Sequence, residues 1–171
     1  MLYGNRIIVD NSSEVSNTVL AVENSRVVQV SPALSTAIYA DGDVLFDAVA
    51  IPLAVRTYNG TGEIRSVCII DKSNQGAAFD LWFLNANVSF GVVNNAPTLT
   101  AADATAALGR IIVATGDYDN FATSRIACPA FQPIMIQSGL NSGELYVAGV
   151  SRGTGTYATD GLVLNIGIAR F

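Results

Sequence analysis

The feature that most constrains this chain is a recurrence. Short runs of β-branched and aromatic residues, each closed by Gly, Asn, Asp or Pro, return about every ten to fifteen residues, and that spacing predicts an all-β sandwich or barrel. The candidate strands are Asn5–Asp10, Arg26–Val30, Thr36–Ala40, Ala48–Tyr58, Glu63–Lys72, Ala78–Ala86, Arg110–Thr115, Ser124–Ala127, Pro133–Gln137, Glu144–Arg152 and Gly161–Ala169. With 171 residues the chain suits one domain, large enough to bury a core.

Turn chemistry suggests how the strands connect. Asn59-Gly60 tolerates the positive φ of a tight hairpin, so the strands on either side are expected to be antiparallel neighbours. Asn74, Gln75 and Gly76 separate the next pair. Asn141, Ser142 and Gly143 introduce the run from Glu144, and Gly153 to Asp160 forms a long small-residue loop before the last strand. Between Ala78 and Leu84, Phe79, Leu81 and Phe83 alternate with Asp80, Trp82 and Leu84. One face is wholly apolar and the other is apolar except for Asp80, as in a strand lying between two layers or beneath a partner subunit. One helical interlude is expected: Thr100 as N-cap, Asp103 in the first turn, and about two turns from Ala101 to Leu108 closed by Gly109.

Residues 1–30 differ from the remainder, with apolar runs on either side of a polar, turn-rich stretch from Asn11 to Asn17. They are read as an extended N-terminal arm or edge hairpin on a sandwich spanning 31–171; the competing reading makes them the first strand pair of that sandwich. An exposed arm bearing Ile7, Ile8 and Val9 would invite aggregation, which favours pairing with another chain. Arg6, Ile7, Ile8 and Val9 are therefore the candidate partner-binding residues.

The residues offer little to catalysis. Histidine, the usual metal ligand and general base, is absent. Lys72 is the sole lysine, and it sits beside Asp71 at a strand end. Asp41, Asp43 and Asp47 read as a turn around Gly42, and Asp117-Tyr118-Asp119-Asn120 lacks the glycine and glutamate of a calcium loop. Gly153-Thr154-Gly155 is followed by no helix that could cradle a phosphate. Cys68 and Cys128 match no zinc or redox spacing and are expected to be separate buried thiols. The reading is of a non-enzyme with no cofactor and no metal.

Charge narrows the partners. Fourteen carboxylates against nine basic residues give a net charge of -5, and the basic residues are scattered along the sequence, so nucleic acid is not expected. No apolar stretch would span a bilayer, and the N-terminus lacks the pattern of a signal peptide, so folding in a cytosol is expected, with no membrane partner. Asn11, Asn59 and Asn87 then match the glycosylation pattern by coincidence. Only 13% of residues are charged while 50% are apolar, which leaves few charges to decorate a monomer and points to association.

Three stretches carry a resemblance. Ser31 to Leu45, Gly62 to Gln75 running into Ala78 to Asn85, and Glu144 to Tyr157 resemble small structural proteins of tailed bacteriophages, the head decoration or cement proteins with jelly-roll folds. The resemblance covers roughly Ser31 to Phe171. It implies a jelly-roll β-sandwich with one short helix, assembled as a homotrimer on the head surface, contacting the major capsid protein and stabilising the coat lattice. Its localisation would be the virion, after synthesis in the host cytoplasm. Two alternatives stay open: a tail or fibre component on the same sandwich, or a carbohydrate-binding jelly-roll module using Tyr118, Phe121 and Tyr157 as stacking platforms.

Overall fold

The computed structural model describes residues 24–139 and 142–171. The chain forms ten strands among the described residues: β1 Ser25–Val30, β2 Val44–Ile51, β3 Thr61–Asp71, β4 Phe79–Leu84, β5 Ala107–Val113, β6 Tyr118–Asn120, β7 Arg125–Ala127, β8 Ile134–Gln137, β9 Leu145–Ser151 and β10 Leu162–Arg170. They make two antiparallel sheets. The first runs β1-β10-β3-β7-β6, with β8 also on β3, and the second runs β2-β9-β4-β5.

The pairing is nested. β1 pairs with β10, β2 with β9, β3 with β7 and β8, and β4 with β5. A ribbon of paired strands folded over in this way, with its strands shared between two sheets, is a jelly roll, as the resemblance implied. The segment 1–30 ends in β1, which is matched to β10 from Ser25 opposite Ala169 to Val30 opposite Leu164 and forms the edge of the first sheet.

The core lies between the sheets. Val28, Ile64, Val67, Ile69, Leu164 and Ile166 come from the first, and Phe79, Leu81, Phe83, Ile111, Val113 and Val147 from the second. Burying each such side chain is worth ~1.5–3 kcal/mol. At the end where the chain crosses between sheets, the Tyr39 hydroxyl accepts from the Ser35 amide at 2.6 Å and donates to the Leu45 carbonyl at 3.0 Å. The Tyr39 ring meets that of Tyr157 edge-on at 6.0 Å.

Four expectations need correction. Thr36–Ala40 is a crossing segment rather than a strand, and it hangs on the long loop after β9, with Leu34 N donating to Thr159 O and Tyr39 N to Gly155 O. The strand expected at Ala48–Tyr58 begins earlier, at Val44, and stops at Ile51, where Pro52 removes a ladder donor and Leu53 turns to a φ of 55°. Asn59 does take a positive φ, 56°, but its turn belongs to a connection between sheets, so β2 and β3 are not neighbours. The helix shrinks to one 3-10 turn, Asp103–Ala106, because Ala107 and Gly109 pair with Leu84 and Phe83. The N-cap position falls on Ala102 rather than Thr100, whose hydroxyl accepts from the Asp103 amide at 3.1 Å just ahead of the turn.

Candidate interaction surfaces

Register fixes which side chains share the outer face of the first sheet. Val27 lies opposite Gly167, and Gly167 opposite Ser66; Gln29 lies opposite Asn165, and Asn165 opposite Cys68. A third row runs Val163, Ile70, Ile126 and Asp119. These three rows carry one formal charge, at Asp119 on the β6 edge. Val27 is 66% exposed, and Val163, Ile70 and Ile126 are each partly open to solvent. A sheet facing water ordinarily alternates apolar inside with polar outside, so these three nearly uncharged, partly aliphatic rows depart from the pattern, while further charges of the sheet lie beyond them at Glu63 and Arg65.

Cys68 and Cys128 extend the middle row. They form a disulfide rather than two buried thiols, with Cα atoms 4.3 Å apart. The reason is topological: β7 pairs with β3 from Ile69 opposite Ala127, and this brings residues 60 positions apart in sequence side by side on the outer face.

The second sheet covers its own outer face. Leu84, Ala148, Val150 and Val44 pack beneath Phe90, with Trp82, Val88 and Leu99 at the margin. The segment that carries this cover is pinned by Asp47, whose carboxylate accepts the Ser89 hydroxyl and the Phe90 amide, each at 2.7 Å. Val44 and the Asn94–Asn95 pair exchange two backbone bonds of 2.8 Å. β4 thus lies between two layers, one of the two positions its pattern allows. A hollow of about 480 Å³, open to solvent, borders the cover, lined by Trp82, Phe90, Pro97, Leu99 and Val150 with Arg152 at its wall.

The remaining acidic groups organise loops. Asp80 pairs with Arg152 and Arg110, and the Arg110 guanidinium sits 5.4 Å over the Trp82 ring. Asp43 accepts the Ala40 amide, while Asp41 reaches Arg152 only at 3.9 Å, so the three carboxylates of that stretch do not converge. Asp117 caps the Ala114 amide and Asn120 that of Ala122, as in a solvated turn. Lys72 is engaged by Asp160 at 2.7 Å rather than by its neighbour Asp71, and the Asp160 carboxyl is held below its ordinary range by that ammonium.

Of the three candidate stacking aromatics, Phe121 is exposed. Tyr157 is core, and Tyr118 is half-buried with its hydroxyl donating to the Ala77 carbonyl at 3.2 Å. Burial pushes both hydroxyls well above the ordinary tyrosine range. The platform therefore does not form, because the loop carrying Tyr157 folds inward onto Tyr39. Arg6, Ile7, Ile8 and Val9 lie outside the described residues.

Basic residues scattered in sequence are less scattered in space. Arg26, Arg56, Arg65 and Arg170 border two adjoining hollows at the end of the first sheet where β3 begins and β10 ends. Sequence spacing gave no sign of this, since the four come from three strands and a loop. No family model matches the chain, and no curated protein is similar to it.

Proposed function

We propose that the chain is a structural component of a tailed-bacteriophage virion: a head decoration, or cement, protein that assembles as a homotrimer on the outside of the head and clamps neighbouring copies of the major capsid protein. The observation that carries this reading is a band of three nearly uncharged rows on the outer face of the first sheet, where Val163, Ile70 and Ile126 cross three strands and Val27 stands exposed at the edge. Such a face gains from being covered, at ~25 cal/mol per Å² of apolar area removed from water. The sandwich suits the role, because its first sheet presents one continuous hydrogen-bonded face built from β1, β10, β3 and β7.

The mechanism is adhesion without turnover. Each contact is modest, but a trimer meets the shell at several points, and linked contacts add in effective concentration rather than singly. Arg6, Ile7, Ile8 and Val9 would contribute partner contacts from the N-terminal segment. Nucleic acid and membrane have no part in this reading, and the site of action is the virion after synthesis in the host cytoplasm.

Light scattering of the full chain at micromolar concentration tests it, together with sedimentation onto purified heads that lack the protein. The expected mass is three times 17.9 kDa, with co-sedimentation. Ile70→Lys/Ile126→Lys, with an unchanged circular dichroism spectrum, is expected to lose one or both. A native protein that stays at 17.9 kDa and does not bind heads overturns the reading.

A further inference from the structure

Half of the eight basic side chains in the described residues gather at one end of the first sheet, although the chain as a whole is acidic. One hollow of about 430 Å³ is bordered by Arg56, Arg65 and Arg170; a second of about 430 Å³ is bordered by Arg26 and again Arg65. The two share Ser25, Arg65 and Ala169, so they form one groove across the ends of β1, β10 and β3.

The backbone is built to place Arg65 there. The β3–β10 register slips between Gly167 opposite Ser66 and Ile168 opposite Ile64, which leaves Arg65 as the extra residue of a β-bulge. Arg65 and Ser66 are both exposed in consequence, and Glu63 holds the Arg65 guanidinium at 2.8 Å. The floor is made of small groups. Gly167 adds no side chain there, and a Cβ at that position would meet the Ser66 hydroxyl.

We propose that this groove binds an extended peptide segment of a partner protein that carries several carboxylates. Guanidinium forks pair carboxylates bidentately, and an open groove bordered by Ser25, Ser66, Gly167 and Ala169 admits a main chain while Arg26, Arg56 and Arg65 engage its side chains. A nucleic acid fits less well, because its charge continues beyond the groove and meets a protein of net charge -5. The inference rests on the proposed assembly role only for who supplies the segment; the binding itself stands on the groove.

The test titrates the full-length protein with a hexaglutamate peptide, with hexalysine and inorganic phosphate as controls, and follows backbone amides and arginine Nε–H groups by NMR. The expected result is shifts at Ser25, Ser66, Ala169, Arg26, Arg56 and Arg65, lost in high salt, with affinity at least about tenfold weaker in Arg56→Gln/Arg65→Gln. Absent or scattered shifts, equal response to phosphate, or unchanged affinity in the variant overturns the proposal. If Glu14→Gln/Glu23→Gln binds hexaglutamate more tightly than the native chain, the groove serves the protein's own N-terminal carboxylates, which also overturns it. The oligomer mass is read separately, so loss of peptide binding with an intact trimer would sink this inference alone.

Discussion

The Asp80 carboxylate accepts Arg152 Nε at 2.8 Å while only 3% of its side chain is open to solvent, whereas Arg152 is 42% exposed. The two partners of this pair therefore depend on it unequally. Removing Arg152 leaves a desolvated anion with one remaining contact, Arg110 at 3.3 Å; removing Asp80 leaves two cations that water can reach. Arg152→Ala is expected to cost about 2–3 kcal/mol and Asp80→Leu about 1 kcal/mol, because an uncompensated buried charge outweighs a lost exposed one. Urea denaturation of both single variants and the double variant checks this. The double should sit near Asp80→Leu, and equal costs for the two singles would contradict the argument.

Asp71 is fully buried and, among the described residues, forms no ion pair. Its Oδ1 accepts the Ser73 amide at 2.9 Å, and its Oδ2 accepts those of Gln75 and Gly76 at 2.8 and 2.7 Å. One carboxylate thereby folds the connection that carries the chain from β3 across to β4. Asp71→Ala strips three donors of their acceptor and is expected to destabilise by about 3 kcal/mol. Asp71→Asn keeps one acceptor oxygen but sets an NH₂ group against the other donors, for about 2 kcal/mol. Hydrogen exchange at Gln75 and Gly76 should accelerate in both variants before global unfolding does; unchanged protection there would refute the assignment.

What the sequence disclosed follows from range. Alternation along Phe79–Leu84 reports a strand buried on both faces, because each residue's environment is decided by its own position on the pleat. The Asn59-Gly60 turn is equally visible and misleads, because a positive φ states that the chain bends without stating which sheet it enters next. The helix from Ala101 reads well locally, yet pairing with β4 outweighs the propensity of Ala107 and Leu108. The disulfide and the arginine groove depend on contacts between residues far apart in sequence. Cys68 meets Cys128, and Arg26 borders the same hollow as Arg65, only once β3, β7, β10 and β1 have taken their places, and no spacing rule encodes that.

The disulfide offers a stability test independent of any partner. Cross-linking residues 60 apart removes loop-closure entropy from the unfolded chain, and the expected contribution is about 4 kcal/mol. Denaturation with and without dithiothreitol should separate by that order, and Cys68→Ser/Cys128→Ser should match the reduced protein and ignore the reductant. Coincident curves for oxidised and reduced protein would show that the bond contributes nothing.

Tyrosine ionisation supplies the last test, and its sign follows from burial. Tyr118 and Tyr157 have hydroxyls pushed far above the ordinary value of 10.0, chiefly by desolvation and then by nearby Tyr and Asp groups, and Tyr39 is raised by burial as well. The folded state therefore holds these protons at pH values where the unfolded chain has released them. Stability from these groups is fully present below about pH 10 and falls as pH rises above it, because the unfolded state then binds fewer protons than the native one. Ultraviolet titration should show these tyrosines ionising late and together with loss of the β-sheet circular dichroism signal, and Tyr157→Phe should remove part of the alkaline slope. Reversible ionisation of every tyrosine near pH 10 with the fold intact would mean that the Tyr39–Tyr157 contact does not bury its rings.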